Sequence, residues 1–358
     1  MKKRSPLKDL NESIPTMNTL IGLIIIAFGS IGQSSSYVPI KKVKSWSWES
    51  FWLMQGLFAW LVFPLLGALL ALPAGSSLFE ILSTGGNLWK IVGYGMLWGI
   101  GGLTFGLSMR YLGIALGQSL ALGTCSAFGT LIPALLKGDD LFSGNGLVLL
   151  IGVSIAIAGI AIIGYAGALK SSNMSDEEKK KAVKDFALKK GIIIALLAGV
   201  TSACFNLGLE AGAPIKAQVL AMGTSPLLAL NPVILLVTIG GLITNALYCL
   251  FQNFKNKTFK DYTTISGKTW ANNLSFCALA GLLWYSQFFG LGAGQSFFEP
   301  GSVMMAFSWS ILMSLNVLFS NVWGILLKEW KGAGQKTILV LVAGLLVLII
   351  SIIVPQVF

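Results

Sequence analysis

Acidic side chains able to carry a proton through an apolar chain are scarce in this sequence. Asp and Glu together number 14, and histidine, the usual proton relay near neutral pH, is absent. Most of the acids lie between apolar segments, whereas Glu210 and Glu299 lie at segment ends that would face a cavity. Burial raises the pKa of a carboxyl group, which can then take up a proton. If protons drive transport through a side chain, we expect Glu210, and second Glu299, to carry the proton; a plain interfacial carboxylate is the alternative for each.

Uncharged polar and aromatic side chains inside the apolar segments are candidates for substrate contact. Polar groups are costly in hydrocarbon, so they tend to face a cavity or another helix. Trp98 and Trp284 lie mid-segment, although membrane tryptophans usually lie at the interfaces. A flat ring flanked by amides and hydroxyls suits a sugar, with packing between helices as the alternative. The candidate substrate-binding residues are Gln33, Ser35, Tyr37, Trp98, Gln118, Asn206, Trp284, Tyr285, Gln287, Gln295 and Ser308, with Asn245, Asn316 and Asn321 as further possibilities.

Long apolar segments must position these side chains. A membrane-crossing helix needs about 20 mostly apolar residues. The sequence predicts an all-α integral membrane protein with ten transmembrane helices. The predicted segments are 17–39, 49–72, 88–109, 112–136, 146–167, 191–210, 228–252, 272–291, 301–326 and 337–356.

Composition excludes several other classes of protein. Charged residues make up 11% of the 358 residues, against about 25% in soluble proteins. The net charge of +11 comes from basic residues between apolar segments, so no nucleic-acid partner is expected. The four cysteines lack paired metal-ligand spacing and are predicted to be buried thiols. We expect no metal, no cofactor and no enzymatic activity, and the lipid bilayer is an expected partner.

The distribution of basic residues predicts the orientation. Most of the 25 Lys and Arg residues lie in connections that follow odd-numbered segments, above all in residues 168–190. Because basic connections stay in the cytoplasm, both chain termini are expected on the outer side.

The two halves of the chain are predicted to form an inverted repeat, a common design of transporters. Residues 1–167 and 191–358 contain five segments each, and 168–190 is interpreted as a basic, helical cytoplasmic connection. An odd number of segments gives the halves opposite orientations. In addition, Gly113, Gly117, Gln118 and Ser119 recur as Gly290, Gly294, Gln295 and Ser296 at one constant offset near half the chain length.

Five segments carry a more specific signal. Residues 39–49 read PIKKVKSWSWE, and further distinctive stretches are 97–101, 106–113, 283–289 and 327–330. With these segments the chain resembles the L-rhamnose–proton symporter family of the drug/metabolite transporter superfamily over nearly its whole length. The resemblance implies ten helices in an inverted five-plus-five repeat, a bacterial inner-membrane location, and import of L-rhamnose or a similar 6-deoxyhexose with a cation, expected to be a proton, by alternating access.

One segment departs from the family pattern. The stretch before Ser308, which can be polar and acidic in the family, here reads Met304-Met305-Ala306-Phe307. If an acid there serves coupling elsewhere, this chain uses another group, another ion, or no coupling. The alternative functions are an exporter of metabolites or drugs on the same fold and, more remotely, a membrane-embedded enzyme acting on lipid-linked sugars.

Overall fold

A computed structural model describes residues 6–84, 87–112, 114–172, 187–328 and 330–357. Within this part of the chain ten helices are long and apolar enough to cross a membrane, as the sequence predicts. They are α1 (Pro6–Ser35), α2 (Trp48–Leu70), α3 (Leu88–Leu112), α4 (Ile114–Lys137), α5 (Gly144–Ser172), α6 (Leu188–Ala211), α7 (Asn231–Asn256), α8 (Gly267–Gln295), α9 (Val303–Leu326) and α10 (Gln335–Val357).

Helix ends differ from the predicted segments where local capping decides. The Ser266 hydroxyl accepts a hydrogen bond from the Thr269 backbone N–H, so α8 begins at Gly267 rather than near 272. After Gly212, a further helix continues α6 as Ala213–Ala221. Short helices also lie at Tyr37–Ile40 and Leu78–Thr84, and a 3-10 turn at Thr258–Tyr262. Most of the predicted 168–190 connection lies outside the described residues.

The helices pack in a pattern that pairs the two halves. Helix α1 lies along α8, α6 lies along α3, and α5 lies along α10. Helices α2 and α7 meet, as do α4 and α9. At the α4–α9 contact the Ser126 and Ser310 hydroxyls are 2.8 Å apart, and both side chains are buried. Cys125, Cys204, Cys249 and Cys277 are buried and free, which confirms their interpretation as buried thiols.

Glycines permit a close contact between α3 and α7. A Cβ added at Gly240 would overlap the Val92 carbonyl oxygen, and one added at Gly95 would overlap the Val237 carbonyl oxygen. Small residues let membrane helices approach in this way. This contact holds α3, and with it Trp98, against α7.

We expect Gly240→Ala to destabilise the protein by about 2 kcal/mol, because backbone atoms cannot yield to the added methyl group. The midpoint of thermal unfolding in detergent measures this. Gly93→Ala on α3 is the matched control, since a Cβ there meets nothing within 4 Å and alanine favours the helix. An equal loss of stability in both variants would contradict the packing account.

A polar contact joins the α1–α2 connection to the α7–α8 connection. The Asp261 carboxylate accepts hydrogen bonds from the Ser47 backbone N–H (2.7 Å) and the Ser50 hydroxyl (2.9 Å). The Trp46 indole N–H donates to the Asp261 carbonyl oxygen (2.8 Å). Partial burial of Asp261 opposes ionisation, but the hydrogen bonds from Ser47 and Ser50 outweigh it and hold the pKa of this carboxyl below its usual range. The contact therefore persists across neutral pH.

Two further side chains extend this contact. The Asn273 amide donates to the Lys44 carbonyl oxygen (2.7 Å) and accepts from the Lys44 backbone N–H (2.9 Å). The Glu49 carboxylate accepts from Asn256 (2.9 Å) and Thr258 (2.8 Å). Together they tie the near ends of α2, α7 and α8 into one unit.

Candidate functional site

A cavity of about 150 Å³ lies at the centre of the bundle. Five tryptophans line it, and we call it the tryptophan cavity: Trp52, Trp60, Trp98, Trp284 and Trp309. Its other lining residues come from α1 to α4, from α6 to α9 and from the α1–α2 connection. Tyr37 and Ile40 place it toward the end of the bundle that carries the α1–α2 connection.

Trp98 and Trp284, the two mid-segment tryptophans, form one wall of this cavity. Their ring centroids are 5.6 Å apart, with the planes tilted by 36°. The Trp60 ring stands nearly perpendicular to both, at 6.0 Å from Trp98 and 6.2 Å from Trp284. The three rings form an open corner of apolar ring faces, a surface on which a flat C–H face can rest.

Amide side chains supply the polar part of the lining. Gln33 lies on α1, and the Gln287 carboxamide on α8 accepts a hydrogen bond from the Asn316 amide on α9 (2.9 Å). The Trp52 indole N–H donates a hydrogen bond to the side-chain oxygen of Asn245 on α7 (2.9 Å). Among the described residues that line the cavity there is no Asp, Glu, Lys or Arg. The lining suits an uncharged ligand.

A π-helical turn shapes the wall formed by α2. Residues Phe58–Val62 form this turn, in which the Phe63 N–H donates to the Phe58 carbonyl oxygen. Such turns occur often at functional sites. A Cβ on Gly56 would overlap the Trp60 ring, so this glycine leaves the room that the indole occupies.

Three stacked rings lie behind the tryptophan cavity. The Phe205 and Phe288 centroids are 3.9 Å apart with an interplanar angle of 13°, and Trp309 lies parallel at 6.0 Å from Phe205. Phe288 and Trp309 line the tryptophan cavity. We call these three side chains the aromatic stack.

A second cavity, of about 330 Å³, lies on the other side of the aromatic stack, and we call it the glutamate cavity. Asn206, next to Phe205, and Met305, one turn before Trp309, both line it. Glu210 also lines it and forms an ion pair with Lys137 (Oε2 to Nζ, 2.7 Å). These side chains are 38% and 56% exposed, respectively, so the pair contributes only about 0–1 kcal/mol.

The predicted substrate residues divide between the two cavities. The tryptophan cavity collects Gln33, Tyr37, Trp98, Trp284 and Gln287, whereas Asn206 and Gln295 line the glutamate cavity.

The remaining predicted residues are placed elsewhere. Ser308 accepts a hydrogen bond from Gln295 (2.8 Å). The Ser35 hydroxyl bonds to the Ile31 carbonyl and accepts from Trp323, and the Tyr285 hydroxyl donates to Asn231; neither Ser35 nor Tyr285 lines these two cavities. Glu299 is exposed and does not line the glutamate cavity, and the side chain of Gln118 lies outside the described residues.

Sequence reasoning missed Gln55 and Trp60, both 3% exposed and both in the lining of the tryptophan cavity. Gln55 carried a usable signal, because it is a lone amide in the apolar segment 49–72. Trp60 carried no such signal. It is five residues after Gln55, and two residues at that spacing point in different directions on a regular α-helix. The π-helical turn places both on the same cavity.

No group of three or more His, Cys, Asp or Glu side chains suited to a metal ion occurs in the described part of the chain. The tryptophan cavity offers hydrogen bonding and ring contact, and the glutamate cavity adds the charged side chains of Lys137, Asp139, Glu210 and Lys216.

Residues 16–356 match the family model described as L-rhamnose-proton symport protein. The chain is 35% identical over 337 residues to L-rhamnose-proton symporters of Yersinia pestis (strain Pestoides F) and Yersinia pseudotuberculosis serotype O:1b (strain IP 31758). Each alignment covers 93% of this chain and 96% of the relative. With its ten apolar helices, the chain is a multi-pass membrane protein and a transporter rather than an enzyme. It belongs to the L-rhamnose-proton symport protein family.

Proposed function

We propose that this protein imports L-rhamnose together with a proton. The observation that carries the proposal is the tryptophan cavity, in which a ring-faced corner and several carboxamides stand together without a charged side chain among the described lining residues. A 6-deoxyhexose has the matching chemistry, with an apolar ring face, a methyl group and a rim of hydroxyls. Family membership supports the same substrate.

Transport by alternating access needs a barrier that can open to either side of the substrate. The aromatic stack is that barrier in our proposal, because a cavity lies on each side of it. Its rings come from α6, α8 and α9, so a relative movement of these helices would separate them. In this proposal the sugar site opens at the end of the bundle with the α1–α2 connection, because Tyr37 and Ile40 of that connection line the tryptophan cavity.

Glu210 is the proposed proton carrier. When ionised it pairs with Lys137, and when protonated it loses the ion pair and frees the end of α4 from the end of α6. Glu299, exposed beside the glutamate cavity residue Pro300, is the second candidate.

Orientation and repeat belong to the same proposal. We place the basic odd-numbered connections in the cytoplasm and both termini in the periplasm, in a bacterial inner membrane, so that the glutamate cavity faces the periplasm. Residues 1–167 and 191–358 are the two inverted halves, joined by 168–190. In such a repeat α1 corresponds to α6, α3 to α8 and α4 to α9. The contact of α1 with α8 then has its counterpart in the contact of α6 with α3, and the Ser126–Ser310 contact joins the equivalent helices α4 and α9. Both observations support this repeat.

Ligand binding to the purified protein tests the substrate. We expect L-rhamnose to change the intrinsic tryptophan fluorescence saturably, because Trp60, Trp98 and Trp284 line the site. A sugar acid of the same size, such as L-galacturonate, should not bind, since its carboxylate would meet no cation among the described lining residues. Preferential binding of the acid would contradict the proposal.

A further inference from the structure

Unpartnered polar atoms concentrate around the tryptophan cavity. Within the described part of the chain, seven buried side-chain nitrogen or oxygen atoms have no hydrogen-bond partner. Four of them belong to residues that line this one cavity: Gln33 Oε1, Gln55 Oε1, Trp60 Nε1 and Asn316 Oδ1. Gln55 and Trp60 are 3% exposed and Asn316 is 7% exposed. A buried group without a partner in the protein is costly, so a set of four around one cavity points to a polar ligand that binds there.

The four atoms define what that ligand must offer. Three are carbonyl oxygens and accept hydrogen bonds, so the ligand must supply three O–H or N–H donors. The fourth, the Trp60 indole N–H, needs an acceptor. With no charge among the described lining residues, a ligand whose hydroxyls both donate and accept meets all four demands.

The local structure of α2 determines how the Trp60 indole is oriented. The π-helical turn places the indole on the same cavity as Gln55, and Gly56 leaves room for its ring. Trp52 offers a contrast on the same helix and the same cavity, because its N–H is satisfied within the protein by Asn245. The free N–H of Trp60 is thus available to a ligand.

We propose that Gln55 and Trp60 of α2, facing Gln33 and Asn316, form the hydroxyl-reading subsite that decides which sugar is accepted. This inference rests on the proposed function and deepens it. The Trp98–Trp284 wall binds any sugar with an apolar face, whereas the α2 pair selects the position and configuration of the hydroxyls. The ring contact gives affinity and the polar pair gives specificity, because an unmet buried polar group penalises the wrong sugar.

Binding of L-rhamnose and its 2-, 3- and 4-deoxy analogues to Trp60→Phe and Gln55→Met tests this subsite. Each variant removes one polar group and keeps most of the side-chain volume. We expect each to bind L-rhamnose roughly tenfold more weakly than the wild type. Each should also stop discriminating against the one analogue that lacks its hydroxyl, which is the signature of a shared interaction in a double-mutant cycle.

Stability separates this role from a structural one. Because Gln55 Oε1 has no hydrogen-bond partner among the described residues, Gln55→Met should leave the midpoint of thermal unfolding unchanged or raise it. Trp46→Phe is the matched control, because Trp46 lines neither cavity. It breaks the hydrogen bond from the indole N–H to the Asp261 carbonyl oxygen, so the midpoint should fall while the affinities across the sugar panel stay as in the wild type.

The possible failures are distinguishable. If the wild type binds L-rhamnose but Trp60→Phe and Gln55→Met keep its full affinity and selectivity, the subsite is overturned and the proposed function stands. A uniform loss of affinity for all analogues with a lowered unfolding midpoint would also overturn it, in favour of a structural role. If the wild type binds none of these sugars, the proposed function fails, and the subsite with it.

Discussion

Glu210→Gln is expected to abolish proton-driven accumulation of L-rhamnose while leaving sugar exchange intact. Glutamine cannot take up a proton, yet it resembles the protonated carboxyl that we propose for the loaded carrier. With one proton per sugar, an inward gradient of one pH unit is worth about 1.4 kcal/mol, or about tenfold accumulation. In proteoliposomes the variant should therefore approach equal concentrations inside and outside, and unlabelled-for-labelled exchange should continue.

Glu299→Gln is the matched control for this experiment. Glu299 is exposed and does not line the glutamate cavity, so we expect accumulation close to that of the wild type. Full accumulation by Glu210→Gln would contradict the assignment. If Glu299→Gln alone lost accumulation, Glu299 would be the carrier.

The paired change Trp98→Ala and Trp284→Ala is expected to weaken L-rhamnose binding at least about thirtyfold. Together the two side chains form the apolar wall of the tryptophan cavity, and loss of ring contact and buried area costs about 2 kcal/mol or more. Equilibrium binding of labelled L-rhamnose to detergent-solubilised protein measures the effect without relying on fluorescence.

Trp89→Ala serves as the control, because this side chain begins the same helix, α3, but is 84% exposed and lines neither of the two cavities. Its binding constant should stay within about twofold of the wild type, as expected for an exposed position far from the site. Unchanged binding in the Trp98 and Trp284 double variant would remove the ring wall from the substrate site.

Most of the helical architecture could be predicted from the sequence, because membrane length and apolarity act on each segment separately. Boundaries were less predictable where a single residue decides them. The Ser266 cap extends α8 at its start, and Gly212 separates α6 from the helix that follows it. Neither residue changes the mean hydropathy of its segment, so apolarity alone does not predict these helix boundaries.

The site was only partly predictable, since polarity identifies a buried amide but not the cavity it faces. Gln33 and Asn206 look alike in the sequence, yet they lie on different cavities with the aromatic stack between them. Tyr285 also looks like a cavity residue in the sequence, but its hydroxyl donates to Asn231 and its side chain lines neither cavity. Trp60 depends on a π-helical turn, which ordinary helical periodicity does not indicate.

Uptake of labelled L-rhamnose by proteoliposomes, with the pH outside recorded at the same time, tests the central claim most directly. We predict that an inward proton gradient drives accumulation, that a protonophore abolishes it, and that adding L-rhamnose without a gradient makes the outer solution more alkaline. Uptake that is equally fast with and without the gradient, or that responds only to sodium, would contradict proton-coupled import.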